Sequence, residues 1–377
     1  MLESLPTPCL VIDGRKMQAN IASMATHLAQ HNVALRPHLK TCKNIEIAQT
    51  MIDPRSGGAT VSTLAEADYF FDHGINDLLY AVGVAPGKLA AVSERMTRGM
   101  NLTLVLDHPQ TARAVAKARA ESGCRYRVLL EIDCDGQRAG FKPESAELLE
   151  AAEILADADC DVAGVMVHAG GSYLCRTTRC IQEMAMHERT SAVLAAERLR
   201  TAGHPAEVVS IGSTPTATFG ENFEGVSEVR AGVHVFQDLV MAGLEVCRID
   251  DIALSVLTEV IGHRTSQGQL VVDAGWMALS RDRGRAPSAP DRGYGLVCEP
   301  DSSGPGDDEL IVHGANQEHG LISHASGKPI DPDRYPIGTR LRVLPNHACA
   351  TAAQHHGYWL LDDEKTEPQW LSRCAGW

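Results

Sequence analysis

The sequence predicts an α/β protein: a parallel (β/α)8 TIM barrel over residues 14–250, and a mostly antiparallel β-domain assembled from residues 1–13 and 251–377. Eight short β-rich runs recur between Val33 and Val235, most of them separated by amphipathic helical runs. Helical periodicity stops near residue 250, where β-rich runs bounded by Gly, Pro, Asp and Ser take over. The chain of 377 residues has room for a barrel of about 250 residues and an appendage.

The first run, "TPCLVID" (7–13), reads as a strand ahead of the first barrel helix and is expected to pair with the β-domain, so that the two ends of the chain meet. "GRKMQANIASMATHLAQHN" (14–32) repeats apolar residues at Met17, Ile21, Met24 and Leu28, the spacing of one helix face. The barrel strands are expected at 33–37, 58–63, 77–83, 102–107, 126–133, 161–170, 207–214 and 226–235. Between the sixth and seventh, a long helical run from Cys180 closes on Gly203, a natural helix stop. The link 215–225 is too short for a full helix. Eight buried strands with crossover helices between them fit a closed barrel better than an open doubly wound sheet. The β-domain runs are "ALSVLTEVIGH" (253–263), "QLVVDAGW" (269–276), "YGLVCE" (294–299), "DELIVHGA" (308–315) and "GTRLRVLPNHA" (338–348).

Composition excludes several function classes. Lys and Arg total 34 against 48 Asp and Glu, a formal charge of −14, and no Lys/Arg run suits a phosphate backbone, so no nucleic-acid partner is expected. The apolar runs are far shorter than the ~20 residues of a membrane span, and "MLESLPTPCL" lacks a basic segment followed by a long apolar core, so a cytoplasmic protein without a membrane partner is expected. The eleven cysteines are scattered and form no C-x-x-C pair, which argues against a secreted disulfide framework and a zinc ribbon.

Barrel chemistry collects in the loops after the strands. Lys40 follows the first strand in "LRPHLKT", Asp133 to Arg138 follow the fifth, His168 to Tyr173 the sixth, and "GSTPTA" the seventh, while "AGVHV" lies at the eighth. Gly212, Ser213 and Thr214 offer backbone N–H groups and hydroxyls beside a second glycine-bearing strand end at Gly232 and Val233, the place where barrels often bind phosphate. "DCDGQRAG" lacks the acid that would complete a calcium loop and reads as a polar turn; in it, Arg138 is a permanent charge that needs an electron-rich partner. In "PNHACATAA", His347 and Cys349 stand two residues apart, which on a strand projects imidazole and thiol from the same face as a soft metal pair. Two ligands leave the shell to be completed by a third side chain, or by water and substrate oxygens.

The strings "RPHLKT", "EIDCDGQRAG", "HAGGSY", "SIGSTPTAT", "EVRAGVHVFQDLVM", "VVDAGWMALSRDRG", "GANQEHG" and "LPNHACATAA" resemble, in order and over nearly the whole chain, the fold-type III pyridoxal-phosphate enzymes of the D-serine dehydratase and D-threonine aldolase group. The resemblance implies an alanine-racemase-like barrel with a β-domain, a homodimer, pyridoxal 5'-phosphate and a divalent metal. Residue by residue, Lys40 looks like the Schiff-base lysine and Arg138 like the donor to the pyridine nitrogen. His168 and Tyr173 fall where residues flank the ring and substrate, and Gly212, Ser213, Thr214, Gly232 and Val233 look like the phosphate cradle. Gln317 and Glu318 fall at substrate positions, and His347 and Cys349 look like the metal pair, where the aldolase branch typically has H-x-D. At His234 the chain departs from the nearest pattern, which has Tyr.

The activity implied is dehydration of a D-3-hydroxyamino acid to a 2-oxo acid and ammonia, with D-threo-3-hydroxyaspartate favoured and D-serine and D-threonine as further candidates. Lys40 is the expected base at Cα, and the metal the expected Lewis acid on the β-hydroxyl. A thiolate ligand favours zinc, with manganese and magnesium as alternatives. The rival activities are a retro-aldol cleavage of D-threonine or 3-hydroxy-D-aspartate, an amino-acid racemase using His168 or Tyr173 as second base, and a non-catalytic pyridoxal-phosphate homeostasis protein.

Overall fold

The computed structural model describes residues 2–284, 286, 289–300, 302, 304, 306, 309–362 and 367–377; Asp308, at the head of one expected strand, lies outside them. Two compact units emerge, one of residues 23–232 and 374–377, the other of residues 1–22 and 233–373. Residues 233–250, expected at the end of the barrel, group with the β-unit. There Leu239 N–H donates to Pro345 O (3.1 Å), and buried Asp238 accepts from Ala348 N–H (2.9 Å). Residues 374–377 group with the barrel unit, where Cys374 N–H donates to Lys43 O (2.8 Å).

Strand β1 (Cys9–Asp13) belongs to the β-unit, and the barrel unit holds β2 (Ala34–Leu35), β3 (Ala59–Val61), β4 (Asp77–Gly83), β5 (Asn101–Leu106), β6 (Arg127–Ile132), β7 (Asp161–Val167), β8 (Val208–Ile211) and β9 (Glu228–Val229). These eight are parallel, in the order β2-β9-β8-β7-β6-β5-β4-β3. The two ends of that order meet at a parallel bridge between His38 and Thr60, where Thr60 N–H donates to Pro37 O (2.8 Å) and Leu39 N–H to Thr60 O (2.9 Å). The expected barrel is therefore present; β4 keeps its expected bounds, β5 starts and ends one residue early, and the other six strands are shorter than expected. Leu79, Val105, Leu129, Ala163 and Met166, from four neighbouring strands, form one buried cluster. Each such side chain contributes about 1.5–3 kcal/mol. Between β7 and β8 the backbones approach so closely that a Cβ on Gly164 would lie 1.8 Å from Val208 O.

Crossover helices start where the sequence supplies caps. Asn44, Thr63, Ser145 and Thr177 each accept a backbone N–H at a helix start, an interaction worth about 1 kcal/mol apiece. The helix Thr178–Thr201 buries Ile181, Ala185, Glu188, Ala192, Ala195 and Leu199, one face at helical spacing, and Gly203 after it takes φ +94°. As expected, the link after β8 holds only the short helix Thr214–Phe219.

The β-unit adds β10 (Leu254–Arg264), β11 (Gln269–Val272), β12 (Leu296–Cys298), β13 (Leu310–Ala315), β14 (Gly320–His324), β15 (Arg340–Leu344), β16 (Gly357–Leu361) and β17 (Gln369–Ser372). The pairings β10-β11-β14-β13-β12-β15-β10 close a ring, all antiparallel. β1 pairs antiparallel with β10 and parallel with β16, so the N-terminal strand does join the C-terminal sheet. The long run expected at 338–348 is corrected: the strand stops at Leu344, Pro345 has no N–H to continue a ladder, and the chain turns into the short helix Ala348–Ala352. One disulfide, Cys175–Cys180, closes a short loop with Cα atoms 5.5 Å apart, and the other nine cysteines are outside any disulfide. It is a local staple, not a framework.

Candidate active site

The loops after β2, β6, β7, β8 and β9 are stitched to one another. Asp133 accepts from Asp135 and Gly136 N–H (3.1 and 2.6 Å) and pairs with Lys142 (2.6 Å), so "DCDG" is indeed a self-bonded turn. Asp135 also reaches the next loop, accepting from Gly171 N–H at 2.7 Å. That loop folds as the turn Gly170–Leu174, which carries Tyr173, with its ring centroid 6.4 Å from that of His168. His168 Nδ1 donates to Gly212 O (2.9 Å), and the Ser172 and Ser213 hydroxyls lie 3.0 Å apart. A carbonyl can only accept, so the neutral His168 ring carries its proton on Nδ1 and leaves a lone pair on Nε2.

The sequence places the Gly212 N–H in a phosphate cradle, and the structure turns it inward instead. It donates to buried Glu188 Oε1 (3.0 Å), which also accepts from Ala169 N–H (2.9 Å). Ser213 N–H bonds the Thr216 hydroxyl (3.1 Å). Gly212 itself takes φ +132°, and a Cβ there would lie 2.2 Å from Arg230 O. On β9's side, a Cβ on Gly232 would lie 2.8 Å from His38 O and 3.1 Å from Thr41 Oγ1, so only glycine lets this strand end approach the "RPHLKT" turn. Val233 begins the one-turn helix Val233–Val235, in which His234 is fully buried with neither ring nitrogen hydrogen-bonded.

Lys40 is exposed in the turn after β2 and has no ion pair among the described residues, whereas Lys43 is held by buried Glu66 at 2.9 Å. Positive charge gathers here. Burial, followed by Arg138, Arg230 and Lys40 and against the Gly212 carbonyl, pushes the His168 imidazole down to about 4. Burial, then Lys40 and Arg230, likewise hold His38 well below the usual histidine range. Arg230 is buried between Ser210 Oγ (2.6 Å) and Val167 O (2.5 Å), and Arg138 is exposed on the loop after β6.

In the β-unit, the proximity of His347 and Cys349 does not come from a shared strand face. His347 is the residue preceding helix Ala348–Ala352, with φ −132° and ψ 104°, and Cys349 lies in its first turn. The two side chains are still brought together, the Cys349 sulfur lying in hydrogen-bond contact with the imidazole. His347 Nδ1 donates to Asp282 Oδ2 at 2.7 Å. Burial opposes the imidazolium, but Cys349, Asp238 and Asp282 outweigh it and push His347 up to about 10. Gln317 and Glu318 are exposed at the tip of the β13–β14 hairpin, bonded to each other at 3.3 Å, and the Gln317 carbonyl accepts from Met277 N–H (3.1 Å).

Residues 12–239 match the family model described as alanine racemase, N-terminal domain, and residues 253–361 match a putative serine dehydratase domain. D-threo-3-hydroxyaspartate dehydratase of Delftia sp. (strain HT23) is 46% identical, over 100% of this chain and 99% of its own. The chain belongs to the alanine racemase N-terminal domain family. Among more distant relatives, D-serine dehydratase of Dictyostelium discoideum is 29% identical over 96% of this chain and 95% of its own, and D-threonine aldolase of Arthrobacter sp. is 26% identical over 100% and 94%. The solved structure of the Delftia dehydratase superposes with a TM-score of 0.96 at 46% identity, covering 100% of this chain and 99% of that one. A cysteine-to-alanine variant of a D-threo-3-hydroxyaspartate dehydratase, 45% identical with a TM-score of 0.96, is described in a metal-free form. Alanine racemase of Clostridium difficile, at 13% identity and a TM-score of 0.69 over 99% and 100% of the two chains, shares the fold.

Family membership supports pyridoxal phosphate as cofactor, and the barrel mouth fits it: an amine, Lys40, without an ion pair among the described residues, Arg138 and Arg230 that make the surroundings positive, hydroxyls at Ser172, Ser213 and Thr216, and a glycine where a Cβ would collide. The dehydratase variant's description as metal-free points to a metal, and the β-unit fits one in part. A ligating imidazole that donates its other N–H to a carboxylate is the arrangement metal sites use, and His347 with Asp282 has it. Among the described residues no group of three or more His, Cys, Asp or Glu could hold an ion, so His347 and Cys349 would need water or substrate oxygens to complete the shell. Sequence reasoning missed Glu188, Arg230 and Asp282. Glu188 had a readable signal, an acid on the apolar stripe of a helix; Asp282 had none, because its partner is 65 residues away.

Proposed function

We propose that this chain is a pyridoxal-phosphate- and metal-dependent carbon–oxygen lyase that dehydrates a D-3-hydroxyamino acid, D-threo-3-hydroxyaspartate before D-serine or D-threonine, to a 2-oxo acid and ammonia. The single observation that carries it is the built His347–Cys349 pair, backed by Asp282, in a chain 46% identical end to end to a dehydratase of that substrate. When bound, pyridoxal phosphate supplies an electron sink that acidifies the α-C–H of an amino acid. Lys40, free of the ion pair that occupies Lys43, carries the cofactor and moves the α-proton at its Nζ. Arg138 faces the ring nitrogen. Tyr173 and His168 flank the ring and substrate, with His168 kept neutral by burial and the cations around it. Ser213, Thr214, Gly232 and Val233 hold the phosphate, with Gly212 shaping the loop from behind. Gln317 and Glu318 meet the substrate.

His347 and Cys349 would hold a divalent ion, zinc on the strength of the thiolate, which would supply Lewis acidity for the departure of the β-hydroxyl. Asp282 fixes the His347 tautomer for that purpose. The family resemblance implies a homodimer, which sedimentation of the full chain would test.

A retro-aldol reading is kept alive by relatives of that activity, the 26%-identical aldolases of Arthrobacter sp. and Paracoccus denitrificans. Incubating the holoenzyme with a panel of D-3-hydroxyamino acids decides between them. Oxaloacetate and ammonia from D-threo-3-hydroxyaspartate are expected; glycine and glyoxylate would replace the dehydratase by an aldolase. In heavy water, recovered substrate is expected to keep its configuration at Cα, whereas accumulation of the L-epimer would make His168 or Tyr173 a second base and the enzyme a racemase.

A further inference from the structure

Glu188 is a carboxyl with no exposure at all, on the helix Thr178–Thr201. Burying such a group costs several kcal/mol unless its oxygens find donors. Here a single oxygen, Oε1, accepts from Ala169 N–H at 2.9 Å and from Gly212 N–H at 3.0 Å. Ala169 follows His168 in the loop after β7, and Gly212 opens the loop after β8. The two loops are joined otherwise by His168 Nδ1 on Gly212 O and by the Ser172 and Ser213 hydroxyls. One atom behind the mouth thus sets the spacing of the loop that holds His168 and Tyr173 against the loop that holds Ser213 and Thr214. Burial pushes the Glu188 carboxyl above its ordinary range, opposed by the nearby Thr216 hydroxyl, the two N–H groups and buried Arg230, and among the described residues its other oxygen, Oε2, has no hydrogen-bond partner.

We infer that Glu188 is a positioning residue for the cofactor phosphate: by pulling the Ala169 and Gly212 N–H groups onto one oxygen, it holds the Ser213–Thr214 loop in its phosphate-binding shape before the cofactor arrives. The inference rests on the reading of the barrel mouth as the pyridoxal-phosphate site. It assigns Glu188 no contact with cofactor or substrate. It also explains why Gly212 is glycine although its N–H faces away from the mouth: the loop must bend inward to the carboxylate at φ +132°.

The test compares pyridoxal phosphate with pyridoxal, which lacks the phosphate, on the full chain stripped of cofactor, reading both dissociation constants by absorbance. The ratio of the pyridoxal constant to the pyridoxal-phosphate constant isolates the phosphate contribution, which a general loss of stability would not move selectively. Two buried N–H groups lose their acceptor in Glu188→Ala, so the ratio is expected to fall about 30-fold. Glu188→Gln keeps a carbonyl oxygen in place and is expected to stay within about threefold of the parent. A folded Glu188→Ala protein with an unchanged ratio would overturn the assignment. Should that variant not fold, Glu188→Asp, which withdraws the oxygen by one methylene and keeps the charge, takes its place with the same two outcomes. A parent protein that binds pyridoxal as well as its phosphate would instead overturn the cofactor reading itself.

Discussion

Replacing Asp282 by Asn changes a single side-chain oxygen to an amide, yet the hydrogen bonds around it make the consequence specific. Asp282 accepts twice: Oδ2 from His347 Nδ1–H at 2.7 Å and Oδ1 from Gly284 N–H at 2.9 Å. An asparagine has one acceptor and one donor group, so one of those N–H groups must then face an NH2. If the Gly284 bond is kept, the imidazole is driven to the tautomer with its proton on Nε2, the nitrogen that a metal needs. Loss of such a supporting carboxylate typically costs about 10–100-fold in metal affinity, or about 1.4–2.7 kcal/mol. The fold should notice far less. His347 and Asp282 side chains are 41% and 46% exposed, and a pair so placed contributes under about 1 kcal/mol to stability. Titrating zinc into the chelator-stripped Asp282→Asn protein, in competition with a chromophoric chelator, should therefore show a 10- to 100-fold weaker site at nearly unchanged melting temperature. An unaltered zinc affinity would refute the role of Asp282, and with it the claim that Nε2 of His347 is the ligating atom.

Borohydride reduction of the holoenzyme followed by peptide mapping should label Lys40, and Lys40→Ala should abolish the cofactor absorbance above 400 nm, whereas Lys43, held by Glu66 at 2.9 Å, should remain unlabelled. Cys349→Ala should lose the metal and turnover while keeping that absorbance; retained metal would make the pair structural. Burial alone pushes His234 down to about 4 from an ordinary value of 6.5, so its neutral form is the one the fold accepts. The unfolded chain then binds more protons between pH 6.5 and 4, and the stability this group contributes is present above that window and lost as pH falls through it, by at most about 1.4 kcal/mol per pH unit. His234→Phe should accordingly show a smaller drop in urea midpoint between pH 7 and pH 5 than the parent. An equal drop in both would place the acid sensitivity elsewhere.

What could be read from the sequence follows from how local the responsible physics is. All eight barrel strands were legible because a parallel strand buried on both faces needs a run of apolar residues, and runs such as "LTLVLD" and "YRVLLEID" advertise it. The strands β14, β16 and β17 were not, because "GLISH", "GYWLL" and "QWLS" are four or five residues long and only partly buried, even though β14 pairs with the preceding β13 and β16 with the following β17. The end of β15 shows the same limit from the other side: burial continues past Leu344 through Asn346, and Pro345 is what stops the ladder.

The site divides along that line too. Lys40 and the loops after β6, β7 and β8 could be placed from their positions at strand ends, since a barrel turns sequence position directly into position at the mouth. His347 and Cys349 were paired for a geometric reason that fails, a strand face, and are brought together by another, the start of a helix. Spacing of two residues serves both, which is why the pairing survives while its rationale does not. Glu188 and Asp282 act through hydrogen bonds that span 19, 24 and 65 residues, and no periodicity encodes those. They support residues that the motifs do name. Motif strings therefore locate the groups proposed to handle the chemistry, and the groups that hold them in tautomer and register become visible only when hydrogen bonds are traced outward from each motif residue to a carboxylate.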